Sequence, residues 1–257
     1  MRPSALEHRD EIGRRLDGRR SAVFLDYDGT LSPIAPRPEL ATLPEETREV
    51  IRRLAQRHPV AILSGRGRED VAALVGLDGL SYAGSHGYDI AGPGFRHEVG
   101  AGIPEEIESA AAALHRELEG MEGVLIEPKR FAISIHFRLA REEDLPRIER
   151  IVDEIAARHP GLRKGHGKKL FELRPDLDWD KGQALLWMMD ALGLSGAVPL
   201  YLGDDITDED AFRAVEERGI GGIGILVAEE PRPTAASYSL RDPGEVRRFL
   251  EWLADRR

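Results

Sequence analysis

The feature that most constrains the fold is a short apolar segment that runs directly into acidic residues and a glycine. Residues 23–31 read Val-Phe-Leu-Asp-Tyr-Asp-Gly-Thr-Leu. Because side chains alternate along a strand, Asp26 and Asp28 lie on the same side of the strand end. Gly29 allows a sharp turn that leaves backbone N–H groups free to face an anion. The segment therefore predicts chemistry on a phosphoryl group, in which one carboxylate attacks phosphorus, the other carries a proton, and both share a divalent cation.

The same arrangement recurs along the chain. Residues 59–63 form a wholly apolar run that ends in Ser64, and residues 198–202 form another that leads into an acidic loop. A helical pattern follows each run, and residues 223–227 predict a further short strand. Wholly apolar strands that alternate with helices are typical of a parallel sheet buried on both faces. We predict an α/β fold with a doubly wound, mostly parallel, Rossmann-like sheet, in which ligands bind at the carboxyl ends of the strands.

The middle of the chain departs from this pattern. Residues 131–138 and 168–175 alternate between apolar and polar side chains, which is typical of half-exposed antiparallel strands. With a further strand at residues 124–127, a short loop at 128–130 and the helices around them, they form an α-β-β-α-β block. We predict that residues 103–176 are an α+β domain inserted into a core made of residues 1–102 and 177–257.

Acidic residues gather where two of the apolar strands end. Asp26 and Asp28 follow the first, and Asp204, Asp205 and Asp208 follow the strand at 198–202. Two carboxylates about 4 Å apart repel each other by roughly 4 kcal/mol at an effective dielectric constant near 20. Oxygen ligands without His or Cys favour Mg²⁺. An alternative is that the second group is a solvated helix start, and Asp208 could orient a bound water or cap the helix.

Ser64 and Lys181 are candidate contacts for a phosphate. A hydroxyl between a strand end and a helix can donate to a phosphate oxygen, helped by nearby backbone amides such as that of Gly65. Lys181 stands at a helix start, where a cation opposes the helix dipole and a structural reason is lacking. A solvated lysine is the alternative. We interpret Arg66 as a surface residue at a helix start, and His86 as a possible substrate contact.

Composition narrows the possible partners. The formal net charge of −10 disfavours nucleic acid and anionic membranes as partners, and the absence of cysteine excludes disulfides and thiolate chemistry. No apolar run reaches the roughly 18 residues that span a bilayer, and the first 20 residues lack the apolar core of a signal peptide. We expect a cytoplasmic protein that is a monomer.

The motifs together resemble those of haloacid dehalogenase-like phosphatases. The resemblance covers nearly the whole chain and includes Asp-x-Asp-Gly-Thr-Leu, Ser-Gly-Arg, a later Lys, and Gly-Asp-Asp-x-x-Asp. The strings Gly-Asp-Asp-Ile-Thr-Asp-Glu-Asp-Ala-Phe, Ser-His-Gly and Glu-x-Lys…His-Phe-Arg are similar to those of trehalose-6-phosphate phosphatases.

This resemblance implies specific roles for the core residues. Asp26 would be the nucleophile that forms an aspartyl-phosphate, and Asp28 the general acid and base. Ser64 and Lys181 would contact the phosphate. Mg²⁺ would be held by Asp26, the backbone carbonyl of Asp28 and Asp204, with two further acids, Asp205 and Asp208, close behind.

The inserted domain would be a cap that recognises the sugar of a small sugar phosphate, trehalose 6-phosphate. Its candidate contacts are polar residues on alternating strands: Glu127, Lys129, His136, Arg138 and Glu172. Gly65 and His86 of the core would join them. A solvent-facing sheet surface would show the same pattern.

Other functions remain open. A phosphatase of the same superfamily that acts on sucrose phosphate or mannosylphosphoglycerate shares the core and differs in the cap. A phospho-accepting response-regulator module also has an Asp, an acidic pair and a Lys, but it forms a stable aspartyl-phosphate and has no second proton carrier. An inactive regulatory domain is a third alternative.

Overall fold

The chain folds into two compact units. The computed structural model describes residues 2–35, 37, 40–167, 169–217 and 221–256. The first unit comprises Met1–His97 and Trp179–Arg257, and the second comprises Glu98–Asp178.

The first unit is built on an eight-stranded sheet with the order β12-β11-β10-β1-β2-β3-β4-β5. The six strands from β12 to β3 are parallel, and β4 runs antiparallel to β3. The strands are β1 (Ser21–Leu25), β2 (Val60–Leu63), β3 (Ser81–Gly84), β4 (Asp89–Gly92), β5 (Phe95–Glu98), β10 (Val198–Gly203), β11 (Ile223–Val227) and β12 (Tyr238–Leu240).

Helices cover both faces of this sheet, because its strands present apolar side chains to both sides. In β1, Val23 and Leu25 face one hydrophobic core and Phe24 faces the other. The first core packs against α1 (Arg9–Leu16), α2 (Glu45–Ala55), α3 (Arg68–Val75) and α8 (Pro243–Asp255). The second packs against α6 (Lys181–Ala191) and α7 (Glu209–Glu217). This arrangement confirms the predicted doubly wound α/β fold.

The second unit is a four-stranded antiparallel sheet with the order β6-β7-β9-β8. Its elements are α4 (Ile103–Glu117), β6 (Leu125–Lys129), β7 (Ala132–His136), α5 (Leu145–Arg158), β8 (Leu162–Gly167) and β9 (Leu170–Pro175). Ile133, Ile135, Phe171 and Leu173 are buried, whereas Glu127 and Lys129 of β6 are exposed. The sheet therefore has one apolar face and one polar face, as strict alternation requires.

Several segments differ from the sequence-based expectation. The hairpin of β4 and β5, the edge strand β12 and the strand β8 were not predicted. The sequences of β4, β5 and β8 contain Gly, His or Arg in place of a continuous apolar run, and β12 has only three residues. Pairing with neighbouring strands stabilises them instead. The loop expected at residues 128–130 is wrong for Pro128 and Lys129, which belong to β6. The strand expected at 131–138 ends at His136, and Lys168 lies outside the described residues.

None of the helices in the described ranges is both long enough and apolar enough to cross a membrane.

The buried sheet makes a direct prediction about stability. Ile62 of β2 is fully buried in the first core, whereas Leu139 of the second unit is 84% exposed. Ile62→Ala should lower the free energy of unfolding by about 2–5 kcal/mol, because it removes buried methyl groups and leaves a cavity. Leu139→Ala should change it by less than about 0.5 kcal/mol. Urea unfolding of both variants checks this, and equal losses would contradict the assigned core.

Candidate active site

The predicted site residues of the first unit follow three neighbouring parallel strands. Asp26 follows β1, Ser64 follows β2, and Asp204 follows β10. Because β1 lies between β10 and β2 and all three run parallel, their carboxyl ends meet at one edge of the sheet. The Asp26 N–H donates to the Leu202 carbonyl at 2.9 Å, which extends the pairing of β1 with β10 to the Asp-x-Asp motif itself.

Lys181 lies at the centre of this edge. Its ammonium donates to Asp26 Oδ1 at 2.7 Å and to Asp208 Oδ1 at 2.6 Å, and its side chain is only 3% exposed. Helix α6 begins at this lysine, and its N-cap Asp180 accepts a hydrogen bond from the Gln183 N–H. The helix start therefore carries the lysine into the interior, and the solvated alternative is wrong.

The charges in this cluster are not balanced. Burial raises the pKa of Asp26 well above its usual range, and the charges of Asp208 and Asp204 add to that effect against the opposing Lys181. Burial opposes the charge of Lys181 as well, but its contacts with Asp26 and Asp208 raise the pKa of the ammonium. Three carboxylates around one ammonium leave a formal surplus of two negative charges. The cluster is therefore suited to bind a cation.

Asp204 lies directly against the turn of the first motif. A Cβ placed on Gly29, whose φ is +81°, would stand 2.1 Å from Asp204 Oδ2, so any side chain at Gly29 would have to displace this carboxylate and would also be strained by the positive φ. Burial, and then the charges of Asp208 and Asp205, raise the pKa of Asp204 to about 7. Carboxylate oxygens of Asp26, Asp204 and Asp208 lie within 4.8 Å of one another. These oxygen-only donors, among which the pKa values of Asp26 and Asp204 are raised, fit a hard divalent cation such as Mg²⁺.

Asp208 and Asp205 organise the loop that carries Asp204. Asp208 Oδ2 accepts from the N–H groups of Asp204 and Asp205, each at 2.9 Å, and its Oδ1 accepts from Lys181 and from the Tyr201 hydroxyl. Asp205 is exposed and accepts from the Ile206 N–H as the N-cap of a short 3₁₀ turn. Among the described acids, Asp205 is therefore outside the group that could share a metal.

Asp28 does not join the lysine cluster but pairs with Arg66. The Arg66 Nε and Nη2 atoms donate to the two Asp28 oxygens, each at 2.7 Å. This side chain is 11% exposed, so the interpretation of Arg66 as a surface residue is wrong. Hydrogen bonds to Asp28 raise the pKa of the guanidinium, which stays charged. The Ser-Gly-Arg string after β2 could have indicated this ion pair. An arginine three residues past the end of one strand is long enough to reach the end of the neighbouring strand.

Ser64, Gly65 and His86 form a second part of the same edge. The Ser64 hydroxyl accepts from the Arg66 N–H at 3.1 Å, and the His86 N–H donates to the Ser64 carbonyl at 2.9 Å. Ser85 and His86 both have positive φ values, which are strained for residues with side chains. A Cβ on Gly65 would stand 2.8 Å from the His86 ring, so this glycine allows the ring to approach the loop.

The candidate residues of the second unit lie on the polar face of its sheet. The His136 Nε2 and Glu127 Oε2 atoms are 3.1 Å apart, and the Lys129 ammonium is 3.8 Å from Glu127 Oε1. Ser134 pairs with Glu127 on one side and with Glu172 on the other, which places Glu172 in the same row. Arg138 lies in the turn after β7 and is exposed, so the structure does not bring it into this row.

Sequence reasoning also missed Tyr201. Its hydroxyl donates to Asp208 Oδ1 at 2.5 Å, and the side chain is fully buried. In the sequence, Tyr201 looks like one more hydrophobic residue of an apolar strand, so its polar role is not evident. The feature that could have indicated this role is a hydroxyl group two residues before Gly203, where the acidic loop begins.

The comparisons with known proteins agree with this geometry. The model of the trehalose-phosphatase family matches residues 24–244. The chain is 41% identical, over 99% of its own length and 75% of the relative's, to trehalose 6-phosphate phosphatase RA3 of Zea mays. It is 44% identical to a trehalose-phosphate phosphatase of Mycobacterium avium, over 93% of this chain and 63% of the relative.

Solved structures show the same similarity. The trehalose-6-phosphate phosphatase of Aspergillus fumigatus superposes with a TM-score of 0.74 at 26% identity, over 99% of each chain. These matches confirm the resemblance inferred from the motifs. The chain belongs to the trehalose-phosphatase family and is a phosphoric monoester hydrolase.

Proposed function

We propose that this protein hydrolyses trehalose 6-phosphate to trehalose and phosphate through an aspartyl-phosphate on Asp26. The observation that carries this proposal is the buried contact of Lys181 with Asp26 beside Asp204, at the edge where doubly wound sheets bind ligands. The substrate is inferred from the names of the relatives, which are trehalose-phosphate phosphatases at 41–44% identity.

In the first step an Asp26 oxygen attacks phosphorus, and the bond between phosphorus and the sugar oxygen breaks. Asp26 Oδ1 is held by Lys181, so the carboxylate has a fixed orientation toward an incoming phosphoryl group. Lys181 and the loop of Ser64 and Gly65 provide positive charge and hydrogen-bond donors for the phosphoryl oxygens. Positioning and charge neutralisation of this kind account for most of the rate enhancement in phosphoryl transfer.

Asp28 moves the protons. It protonates the departing sugar oxygen in the first step, since an alkoxide is a poor leaving group. In the second step it takes a proton from a water molecule, which attacks the aspartyl-phosphate, releases phosphate and regenerates Asp26. The fork of Arg66 fixes both Asp28 oxygens and connects Asp28 to the Ser64 loop.

Asp26, Asp204 and the backbone carbonyl of Asp28 would hold Mg²⁺. When bound, the ion supplies positive charge that offsets the surplus of carboxylates and polarises a phosphoryl oxygen. Asp208 already accepts four hydrogen bonds, so its role is to support Asp204 and Lys181 rather than to bind the ion directly.

The second unit would act as the cap that recognises the sugar, with the segment 103–176 as the inserted domain. Its polar face combines carboxylates, an ammonium and an imidazole within one row, a set that can both donate to and accept from sugar hydroxyls. We assign this role to Glu127, Lys129, His136 and Glu172; Arg138, in the exposed turn after β7, lies outside this row. We propose that the enzyme acts as a monomer, with all of these contacts supplied by the same chain.

Phosphate release from a panel of sugar phosphates tests the function. Trehalose 6-phosphate should be hydrolysed selectively and only with Mg²⁺, whereas sucrose 6-phosphate and mannosylphosphoglycerate should release little phosphate. Asp26→Asn should lower kcat by about 10³-fold or more, because the amide is a poor nucleophile of the same shape. Asp10→Asn, at an exposed position of α1, is the matched control and should leave kcat unchanged.

Each other outcome of that panel has a definite meaning. Selective hydrolysis of another sugar phosphate would keep the chemistry and overturn the substrate. A phosphorylated Asp26 that persists without turnover would favour the phospho-accepting regulatory module. No reaction with any ester, in a folded protein, would reject the enzymatic function.

The roles of Asp28 and Arg66 are tested by the choice of leaving group. Asp28→Asn should slow phosphorylation of the enzyme by trehalose 6-phosphate by about 10²–10⁴-fold. The first-turnover burst of p-nitrophenolate from p-nitrophenyl phosphate should fall far less, because that leaving group needs no proton. Arg66→Lys should also slow the reaction with trehalose 6-phosphate more than the reaction with p-nitrophenyl phosphate, but by a smaller factor. Lysine cannot donate the two parallel hydrogen bonds that the guanidinium makes to Asp28.

Combining the variants isolates the contact between the two side chains. Arg66→Lys should have no further effect when Asp28 is already asparagine. Arg68→Lys is the control, because Arg68 pairs with Asp89 at 3.0 Å in the same segment. If Arg66→Lys slowed the reaction equally with both substrates, Arg66 would act independently of Asp28. The same conclusion would follow if Arg66→Lys slowed the reaction as much in the Asp28→Asn variant as in the wild type.

The charge cluster predicts how Mg²⁺ and pH affect stability. With a pKa of about 7 in the folded protein against an ordinary value of 3.8, Asp204 makes the metal-free protein less stable as pH rises from about 4 to 7. Mg²⁺ at about 100 times its Kd should add about 2.7 kcal/mol at pH 8. That corresponds to a rise in Tm of about 5–11 °C for a chain of this size.

The rise in Tm caused by Mg²⁺ should be smaller at pH 5.5, where protons compete with the ion for the carboxylates. Asp204→Asn should raise the Tm of the metal-free protein at pH 8, because it removes like-charge repulsion, and should abolish most of the gain from Mg²⁺. Thermal melts in EDTA and in Mg²⁺ at the two pH values measure this. If the rise in Tm caused by Mg²⁺ were independent of pH, or persisted in Asp204→Asn, the ion would bind elsewhere.

A further inference from the structure

Tyr201 is a buried polar group beside the catalytic cluster that the mechanism does not use. It belongs to β10, and its ring packs edge-on against Phe212 in the second core, with the ring centroids 5.6 Å apart. Its hydroxyl donates to Asp208 Oδ1 at 2.5 Å. An apolar side chain would fill the same space, so packing alone does not account for the hydroxyl.

The carboxylate that Tyr201 contacts has no remaining acceptor position. A carboxylate offers about four lone-pair sites, and Asp208 uses two for the backbone amides of Asp204 and Asp205. The other two, both on Oδ1, accept from Tyr201 and Lys181. Because the side chain is fully buried, water does not replace a lost donor there without rearrangement.

Tyr201 and Lys181 therefore share one oxygen. The Lys181 ammonium is 2.6 Å from Asp208 Oδ1 and 2.7 Å from Asp26 Oδ1, so it is divided almost equally between the two acids. A hydroxyl bonded to Oδ1 offsets part of the negative charge on that oxygen and weakens its attraction for the ammonium.

We propose that Tyr201 is a positioning residue: its hydroxyl bond to Asp208 keeps Lys181 shared with Asp26, and so keeps the nucleophile aligned for attack. Without the hydroxyl, Asp208 would draw the ammonium toward itself and away from Asp26. The proposal rests on the function proposed above for Asp26 and Lys181. It adds a residue that acts through Asp208 and Lys181.

Tyr201→Phe removes the hydroxyl and keeps the ring. In the Mg²⁺-loaded enzyme it should lower kcat about tenfold while KM stays within about twofold, because misplacement of a reacting group by about 1 Å can cost up to about 10²-fold in rate. Tyr82→Phe is the matched control. Its hydroxyl also makes one hydrogen bond, to the Leu77 carbonyl at 2.7 Å, but that bond lies outside the cluster.

Inhibition supplies a readout that a merely structural role would not change. Vanadate inhibits by taking a five-coordinate geometry on the aligned nucleophile, whereas inorganic phosphate binds without it. Tyr201→Phe should weaken inhibition by vanadate about tenfold and change inhibition by phosphate by less than about twofold. Equal effects on both anions, a change in KM alone, or kinetic constants equal to those of Tyr82→Phe would overturn the proposal.

The substrate assignment does not enter this comparison. The ratio of variant to wild-type rates is also measured with p-nitrophenyl phosphate, which needs no sugar recognition. If the wild type releases no phosphate from trehalose 6-phosphate but the tenfold ratio holds with p-nitrophenyl phosphate, the proposed substrate fails and the role of Tyr201 stands. If trehalose 6-phosphate is hydrolysed equally by wild type and variant, the role of Tyr201 fails and the substrate stands.

Discussion

The buried contact of Lys181 with Asp26 and Asp208 is the interaction on which the site depends. Removing charges from water is costly, and a buried ion pair is tolerated only where further hydrogen bonds complete it. Here the backbone amides of the Asp204 loop and the Tyr201 hydroxyl complete Asp208. The remaining carboxylates are still in excess, so the cluster is suited to bind a cation.

The fold brings this cluster together from segments far apart in the chain. Lys181 and Asp26 are 155 residues apart in sequence and 2.7 Å apart in space. Parallel strands align the ends of β1, β2 and β10 at one edge, and helix α6 returns the lysine to that edge. Every one of these residues belongs to the first unit, so the cluster forms without any side chain of the second unit.

Two glycines and two strained residues show how closely the loops approach. Gly29 leaves space for the Asp204 carboxylate, and Gly65 leaves space for the His86 ring. Ser85 and His86 keep left-handed backbone conformations that cost of order 1–3 kcal/mol each. The hydrogen bonds of this turn to Ser64 and Arg66 hold it in place. The strain is thus maintained beside the loop proposed to bind phosphate.

The sequence alone determined the doubly wound core, the chemistry-bearing strand ends and the family, because apolar runs and short motifs are local signals. It did not reveal the pairing of Arg66 with Asp28, the strand β8 or the burial of Lys181. Only the tertiary structure decided those, since each depends on a partner distant in the chain. Tyr201 is the clearest example: along the strand it is one apolar residue among others, and only the folded loop of Asp208 gives its hydroxyl a partner.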